Sequence, residues 1–200
     1  NHPSIIMWSI GNEITWSVGN EMPDGNGAYD LHAWYRRLAD KVRELDSTRP
    51  VTAAVCSLMF EYSDMVSIED GDVVVNILNK EVDLNNDKWG EVTEKFFEPL
   101  DVAGYNYKVK RYKHDAVKYP NRVICGTETY PYTLFENWIE TIKNPNVIGD
   151  FVWTAIDYLG EAGIGRVSVD REDRMPCGNF PWFYANCGDI DICGEKRPQS

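Results

Sequence analysis

The sequence predicts an α/β fold built on a parallel sheet, and three observations carry the prediction. Apolar runs of strand length alternate with amphipathic helical stretches, an order that produces right-handed crossovers between parallel strands. Those runs stay apolar on successive positions, as strands covered on both faces do. Two of them break abruptly into a glycine, a small polar residue and a glutamate: residues 4–13 end in Gly11-Asn12-Glu13, and residues 122–129 contain Gly126-Thr127-Glu128. Folds of this class place their chemistry at the carboxyl ends of strands.

Taken in order, the run at 4–10 is the first strand, expected to be buried on both faces, and Gly11 lets the chain leave it. A polar, glycine-rich loop follows over 15–27. Leu31, Trp34, Tyr35, Leu38, Ala39, Val42 and Leu45 recur at helical spacing and predict one apolar face, with Pro50 beyond the end. Residues 50–55 form a second strand. Residues 57–98 are expected to be an insertion or long loop, with 65–68 and 73–78 each reading as a short strand, or the second as the lead of a helix, and a helix near 91–98 that turns Val92, Phe96 and Phe97 inward. A strand at 100–107 ends in Gly104-Tyr105-Asn106-Tyr107, and a helix over 110–119 stops at Pro120. After the strand carrying Glu128, Thr133-Leu134-Phe135-Glu136 has capping-box spacing. The helix it opens is predicted to face inward with Leu134, Phe135, Trp138, Ile139 and Ile142. Residues 147–155 are the last strand.

Composition narrows the function. The chain has 200 residues, enough for one sizeable core, and a net charge of -12 that argues against nucleic acid or an anionic membrane as partner. It contains no apolar run approaching the length of a membrane span. Five cysteines at irregular spacing read neither as a disulfide framework nor as a zinc site; Cys125 reads as core, and a bridge among Cys177, Cys187 and Cys193 stays open. No histidine stands in a hydrolytic-triad motif. No cofactor is implied. Asp189 and Asp191 are too few to claim a cation, and a divalent or monovalent cation stays open.

Either strand-end glutamate alone could be a solvated loop carboxylate or a helix cap. Together, Glu13 and Glu128 suggest two carboxyl groups converging on one pocket, which is the apparatus of glycoside hydrolysis. An open nucleotide-binding sheet would carry a glycine fingerprint after its first strand, and the first crossover has none. A (β/α)8 TIM barrel, of which five strands are present, is therefore the predicted architecture.

Asn-His-Pro-Ser-Ile-Ile-Met-Trp-Ser-Ile-Gly-Asn-Glu at 1–13 resembles the acid/base motif of glycoside hydrolase family 2, the β-galactosidases, β-glucuronidases and β-mannosidases. Gly104-Tyr105-Asn106-Tyr107, Gly126-Thr127-Glu128 and Phe151-Val152-Trp153-Thr154 resemble its sixth, seventh and eighth barrel strands. Residues 157–163 and 187–191 are similar to bacterial β-galactosidase-type members. The resemblance implies that strands four to eight of a catalytic barrel are present, as part of a larger multidomain glycosidase. It implies that Glu13 is the general acid/base and Glu128 the nucleophile of a retaining double displacement. Tyr107 would donate to Glu128, Asn12 would bind the sugar 2-hydroxyl, and Trp153 would face the sugar ring. Trp182, in the cluster Trp182-Phe183-Tyr184, is expected to line the pocket, while Asp157 and Glu161 read as structural.

β-Glucuronidases carry an Asn-x-Lys-Gly motif, whereas Asn79-Lys80 is followed here by Glu81. This favours a neutral β-hexoside, galactose first, with a β-mannosidase or β-glucuronidase-like activity behind it. The rival from another class is a non-catalytic carbohydrate-binding barrel. A barrel opened at its fourth strand leaves two sheet edges, so self-association is the expected partner behaviour beside carbohydrate binding.

Overall fold

The computed structural model describes residues 2–14, 31–56, 66–69, 72–75, 86–157, 188–191 and 193–196. Five strands form one parallel sheet: β1 (Trp8–Asn12), β2 (Val51–Val55), β5 (Val102–Asn106), β6 (Ile124–Thr129) and β7 (Val147–Val152), in that spatial order. Helix α1 (Leu31–Leu45) links β1 to β2, and α2 (Lys88–Phe97) precedes β5. Helix α3 (Tyr112–Lys118) joins β5 to β6, and α4 (Leu134–Lys143) joins β6 to β7. Within the region expected to be an insertion, β3 (Val66–Glu69) and β4 (Asp72–Val75) pair as an antiparallel hairpin apart from the main sheet.

The core lies between the sheet and the helices. Every residue of β2 and β5 is buried, because each of these strands has a neighbour on both sides. The first strand differs from its expected full burial: β1 is only partly covered and Ile6 before it is 67% exposed. It is an edge strand that pairs with β2 alone. Side chains alternate across a strand, and β5 uses that alternation to separate two environments. Tyr105 points to the helices, stacked on Phe97 with ring centroids 5.3 Å apart and edge-on to Trp89 at 5.4 Å. Its neighbour Asn106 points to the other face.

A charged network ties α2 to α3 beneath those rings. The Arg111 guanidinium donates to Asp87 at 2.9 and 3.1 Å and to Asp115 at 3.0 Å from each of two nitrogens. Lys118 adds a contact of 2.7 Å to Asp87, and the Tyr105 hydroxyl donates to Asp115 at 2.7 Å. Burial works to raise the Asp87 carboxyl, but the hydrogen bonds from Arg111 and Lys118 win and hold it at about 2. Asp87 also caps α2, accepting from the Gly90 N–H.

Helix α4 departs from the sequence expectation twice. Thr133 makes no capping contact; Pro131 opens a 3-10 turn over Pro131–Thr133, and the Thr133 hydroxyl turns back to the Tyr130 carbonyl at 3.0 Å. The buried face of the helix is polar, made of Asn137 and Thr141. Leu134, Phe135, Trp138 and Ile142 are exposed, as are Ile148 and Phe151 of edge strand β7, so this end of the sheet carries uncovered apolar surface. Among the described residues no helix is long and apolar enough to cross a membrane.

Removing one member of a buried charge network leaves its partners uncompensated, typically at a cost of about 3–5 kcal/mol. Arg111→Ala is expected to lower unfolding stability by about that amount, read from the shift in denaturant midpoint at constant slope.

Candidate active site

The sheet register decides which side chains meet. Asn12 lies opposite Ala54 across a bulge in β1, and the Glu13 N–H continues the ladder onto the Ala54 carbonyl at 2.8 Å. On the other side Asn106 lies opposite Glu128, and the Tyr107 N–H donates to the Glu128 carbonyl at 2.9 Å. Both residues that follow a strand here adopt left-handed backbone, with φ of 53° at Glu13 and 56° at Tyr107. Side chains other than glycine rarely take that conformation, and where they do, the strain commonly serves a site.

The two carboxylates meet around Asn106, a residue with no accessible surface. Its Nδ2 lies 2.9 Å from Glu13 Oε1, 3.0 Å from Asn12 Oδ1 and 3.4 Å from Glu128 Oε2. Two oxygens that contact one nitrogen at 2.9 and 3.4 Å cannot be separated by more than the sum of those distances. The two carboxyl groups therefore face one pocket, as the paired carboxylates of glycoside hydrolysis do. The amide orientation is set chemically: three oxygens surround Nδ2, and the Thr127 hydroxyl donates to Asn106 Oδ1 at 2.7 Å. Thr127 reaches across β5 because position 104 is glycine. A Cβ there would run into the Ala53 carbonyl and the Thr127 side chain.

Tyr107 completes the pair, its hydroxyl donating to Glu128 Oε1 at 2.5 Å. Burial raises the Glu128 carboxyl above its usual range; the Tyr107 hydrogen bond pulls it down, and the charge of Glu13 adds to the rise. The net direction is upward because burial outweighs the hydroxyl donor, with the neighbouring Glu13 charge adding to it. Burial and the Glu128 carboxylate push the Tyr107 hydroxyl well up, so it stays a donor. Cys56, at the end of β2, sits against Glu13, and burial together with that charge raises its thiol far above the ordinary value. It remains a thiol.

Of the residues singled out from sequence, Asn12, Glu13, Tyr107 and Glu128 are thus brought together. Trp153 stands at the end of β7, half-buried, with its N–H on the Thr129 carbonyl at 2.9 Å; the Trp153–Thr154 peptide is cis. Trp182, with Phe183 and Tyr184, and Glu161 lie outside the described residues. Asp157 is structural, its Oδ1 accepting the Gly188 N–H at 2.6 Å. Asp191 caps its own turn through the N–H groups of Cys193 and Glu195. Cys56, Cys125 and Cys193 form no disulfide, while Cys177 and Cys187 lie outside the described residues. Asp87, His114 and Asp115 offer ligand atoms within 4.8 Å of one another, yet Arg111 already pairs with both carboxylates there.

Two features escaped the sequence reading. Asn106 is the first, since its role depends on partners from two other strands. The second is a row of rings, Tyr107, Tyr130 and Tyr132, stacked at centroid distances of 4.4 and 5.2 Å from the carboxylates outward to an exposed Tyr132. Tyr130 is pushed up to about 12, by burial first, then by Tyr132, Glu128 and Glu13. The alternation of tyrosines around Pro131 was the available signal.

A parallel sheet backed by helices, with two carboxylates meeting at its strand ends, is the architecture of a glycosidase barrel. Residues 1–176 match the glycosyl hydrolases family 2, TIM barrel domain, and the chain belongs to that family. A solved structure of a glycosyl hydrolase family 2 member from Bacteroides cellulosilyticus is 38% identical, with a TM-score of 0.63, over 100% of this chain and 20% of that one. A curated β-glucuronidase of Paenibacillus borealis is 23% identical over 98% of this chain and 33% of its own length. A solved structure described as a putative β-galactosidase from Bacteroides fragilis shares the fold at 15% identity and a TM-score of 0.53, over 98% of this chain and 27% of that one. The chain thus spans about a third or less of these relatives.

Tyr107→Phe removes a donor that favours the ionised Glu128. The carboxyl then rises further, so the acid limb of the kcat/KM profile is expected to move to higher pH. At the optimum, kcat/KM is expected to fall roughly ten- to a hundredfold, the worth of one hydrogen bond to a charged group. A pH–rate comparison of the two proteins checks both.

Proposed function

We propose that the protein is a retaining β-glycosidase, with Glu13 as general acid/base and Glu128 as nucleophile, acting through strands four to eight of a TIM barrel. The observation that carries this reading is the contact of one amide nitrogen, Asn106 Nδ2, with both carboxylates. A pair of carboxylates held on one amide supports direct attack by one of them over activation of an intervening water. In the first step Glu128 attacks the anomeric carbon while Glu13 protonates the departing oxygen. In the second, Glu13 takes a proton from water, which displaces Glu128 from the same face.

Asn12, held by Asn106 at the exposed rim beside Glu13, binds the sugar 2-hydroxyl in this reading. Trp153 and the ring faces of Tyr130 and Tyr132 offer apolar platforms for pyranose rings. The preferred substrate is a terminal β-D-galactoside or a related neutral β-hexoside, because Asn79-Lys80-Glu81 lacks the glycine of the acid-recognising motif. A second reading, a β-glucuronidase, has its support in the Paenibacillus relative.

The test pairs aryl β-galactoside with aryl β-glucuronide and follows the anomeric proton of the released sugar by NMR. The β-galactoside is expected to be cleaved faster, with the β-anomer appearing first and Glu128→Gln reducing turnover at least a thousandfold. Faster cleavage of the glucuronide would select the second reading. An α-anomer formed first would reject the nucleophile role of Glu128.

A further inference from the structure

We propose that Asn106 is a catalytic positioning residue that hands an N–H from Glu128 to Glu13 during glycosyl transfer. The inference rests on the glycosidase reading above. The Asn106 amide has two N–H bonds and three acceptors within reach: Asn12 Oδ1 at 3.0 Å, Glu13 Oε1 at 2.9 Å and Glu128 Oε2 at 3.4 Å. All three cannot be served at once. The amide is fully buried, so water does not compete for it, and the Thr127 hydroxyl on Oδ1 keeps the donors turned toward the carboxylates.

The first chemical step changes which acceptor needs the donor. The bond between the anomeric carbon and the leaving oxygen breaks. A bond forms from a Glu128 carboxylate oxygen to that carbon, and the proton of Glu13 passes to the leaving oxygen. One negative charge therefore disappears from Glu128 and appears on Glu13. Hydrogen bonds to an ionised acceptor are about twice as strong as those to a neutral one, so the amide's interaction with Glu13 strengthens as the proton leaves. Hydrolysis reverses the movement: water gives its proton to Glu13, and Glu128 departs as a carboxylate. No large displacement is needed, since both oxygens already lie within 3.4 Å of the same nitrogen. An interaction that strengthens toward the transition state is the kind that raises rate rather than ground-state binding.

A merely structural Asn106 would make all substrates poorer alike. The hand-over instead predicts a loss that follows the leaving group's need for a proton. In Asn106→Ala, kcat/KM for an alkyl β-glycoside, whose leaving group must be protonated, is expected to fall at least tenfold more than for the dinitrophenyl β-glycoside, whose leaving group departs unaided. Thr127→Val fills nearly the same space but frees the amide to turn, and is expected to change the ratio in the same direction by a smaller factor. Thr127→Val decides the matter if Asn106→Ala does not fold. An unchanged ratio in the folded variants overturns the proposal. Glu128→Gln separates the two levels: if it abolishes both activities and the ratio still does not move in the Asn106 and Thr127 variants, only the hand-over fails. If Glu128→Gln keeps both activities, the nucleophile role of Glu128, on which the hand-over rests, fails with it.

Discussion

One buried amide holds the geometry on which the site depends. Asn106 connects the ends of β1, β5 and β6 through Asn12, Glu13, Thr127 and Glu128. A buried amide with unmet donors or acceptors would be costly, so these partners are required by the fold as well as by the chemistry. The same strand turns Tyr105 to the helices, where its hydroxyl meets Asp115 and its ring meets Phe97 and Trp89. Adjacent residues of β5 thus anchor the core on one face and arrange the carboxylates on the other.

The electrostatics divide along the same line. Behind the sheet, Arg111 and Lys118 neutralise Asp87, and the network is closed on itself. In front, Glu13 and Glu128 share a pocket with hydroxyl, amide and thiol donors, and the charge of one raises the other. Carboxylates that are fully neutralised lose the capacity to exchange protons near neutral pH.

Much of this was readable from residues. The breaks at Gly11-Asn12-Glu13 and Gly126-Thr127-Glu128 marked both strand ends, where folds of this class place their chemistry. The helix over 31–45 formed where its apolar spacing placed it, with Tyr35 and Ala39 buried but Trp34 and Leu45 left exposed, and the helix expected near 91–98 begins three residues earlier with Phe96 and Phe97 buried. The stretch at 133–142 misled because a local pattern was overruled by its surroundings. Pro131 drew Thr133 into a 3-10 turn, and Asn137, not Trp138, took the buried side of α4. Asn106 could not have been recognised in isolation: in the sequence it is a polar residue between two tyrosines, and its meaning comes from strands that reach it through parallel pairing.

The most direct test of the central claim is mass spectrometry of the protein after exposure to a 2-deoxy-2-fluoro-β-glycosyl fluoride of its preferred sugar. The fluorine at carbon 2 destabilises the oxocarbenium-like transition states of both steps, while the fluoride leaving group keeps the first fast enough for the covalent intermediate to accumulate. The account predicts one added glycosyl group, carried on the peptide containing Glu128. Label on Glu13, or steady turnover with no adduct, would contradict it.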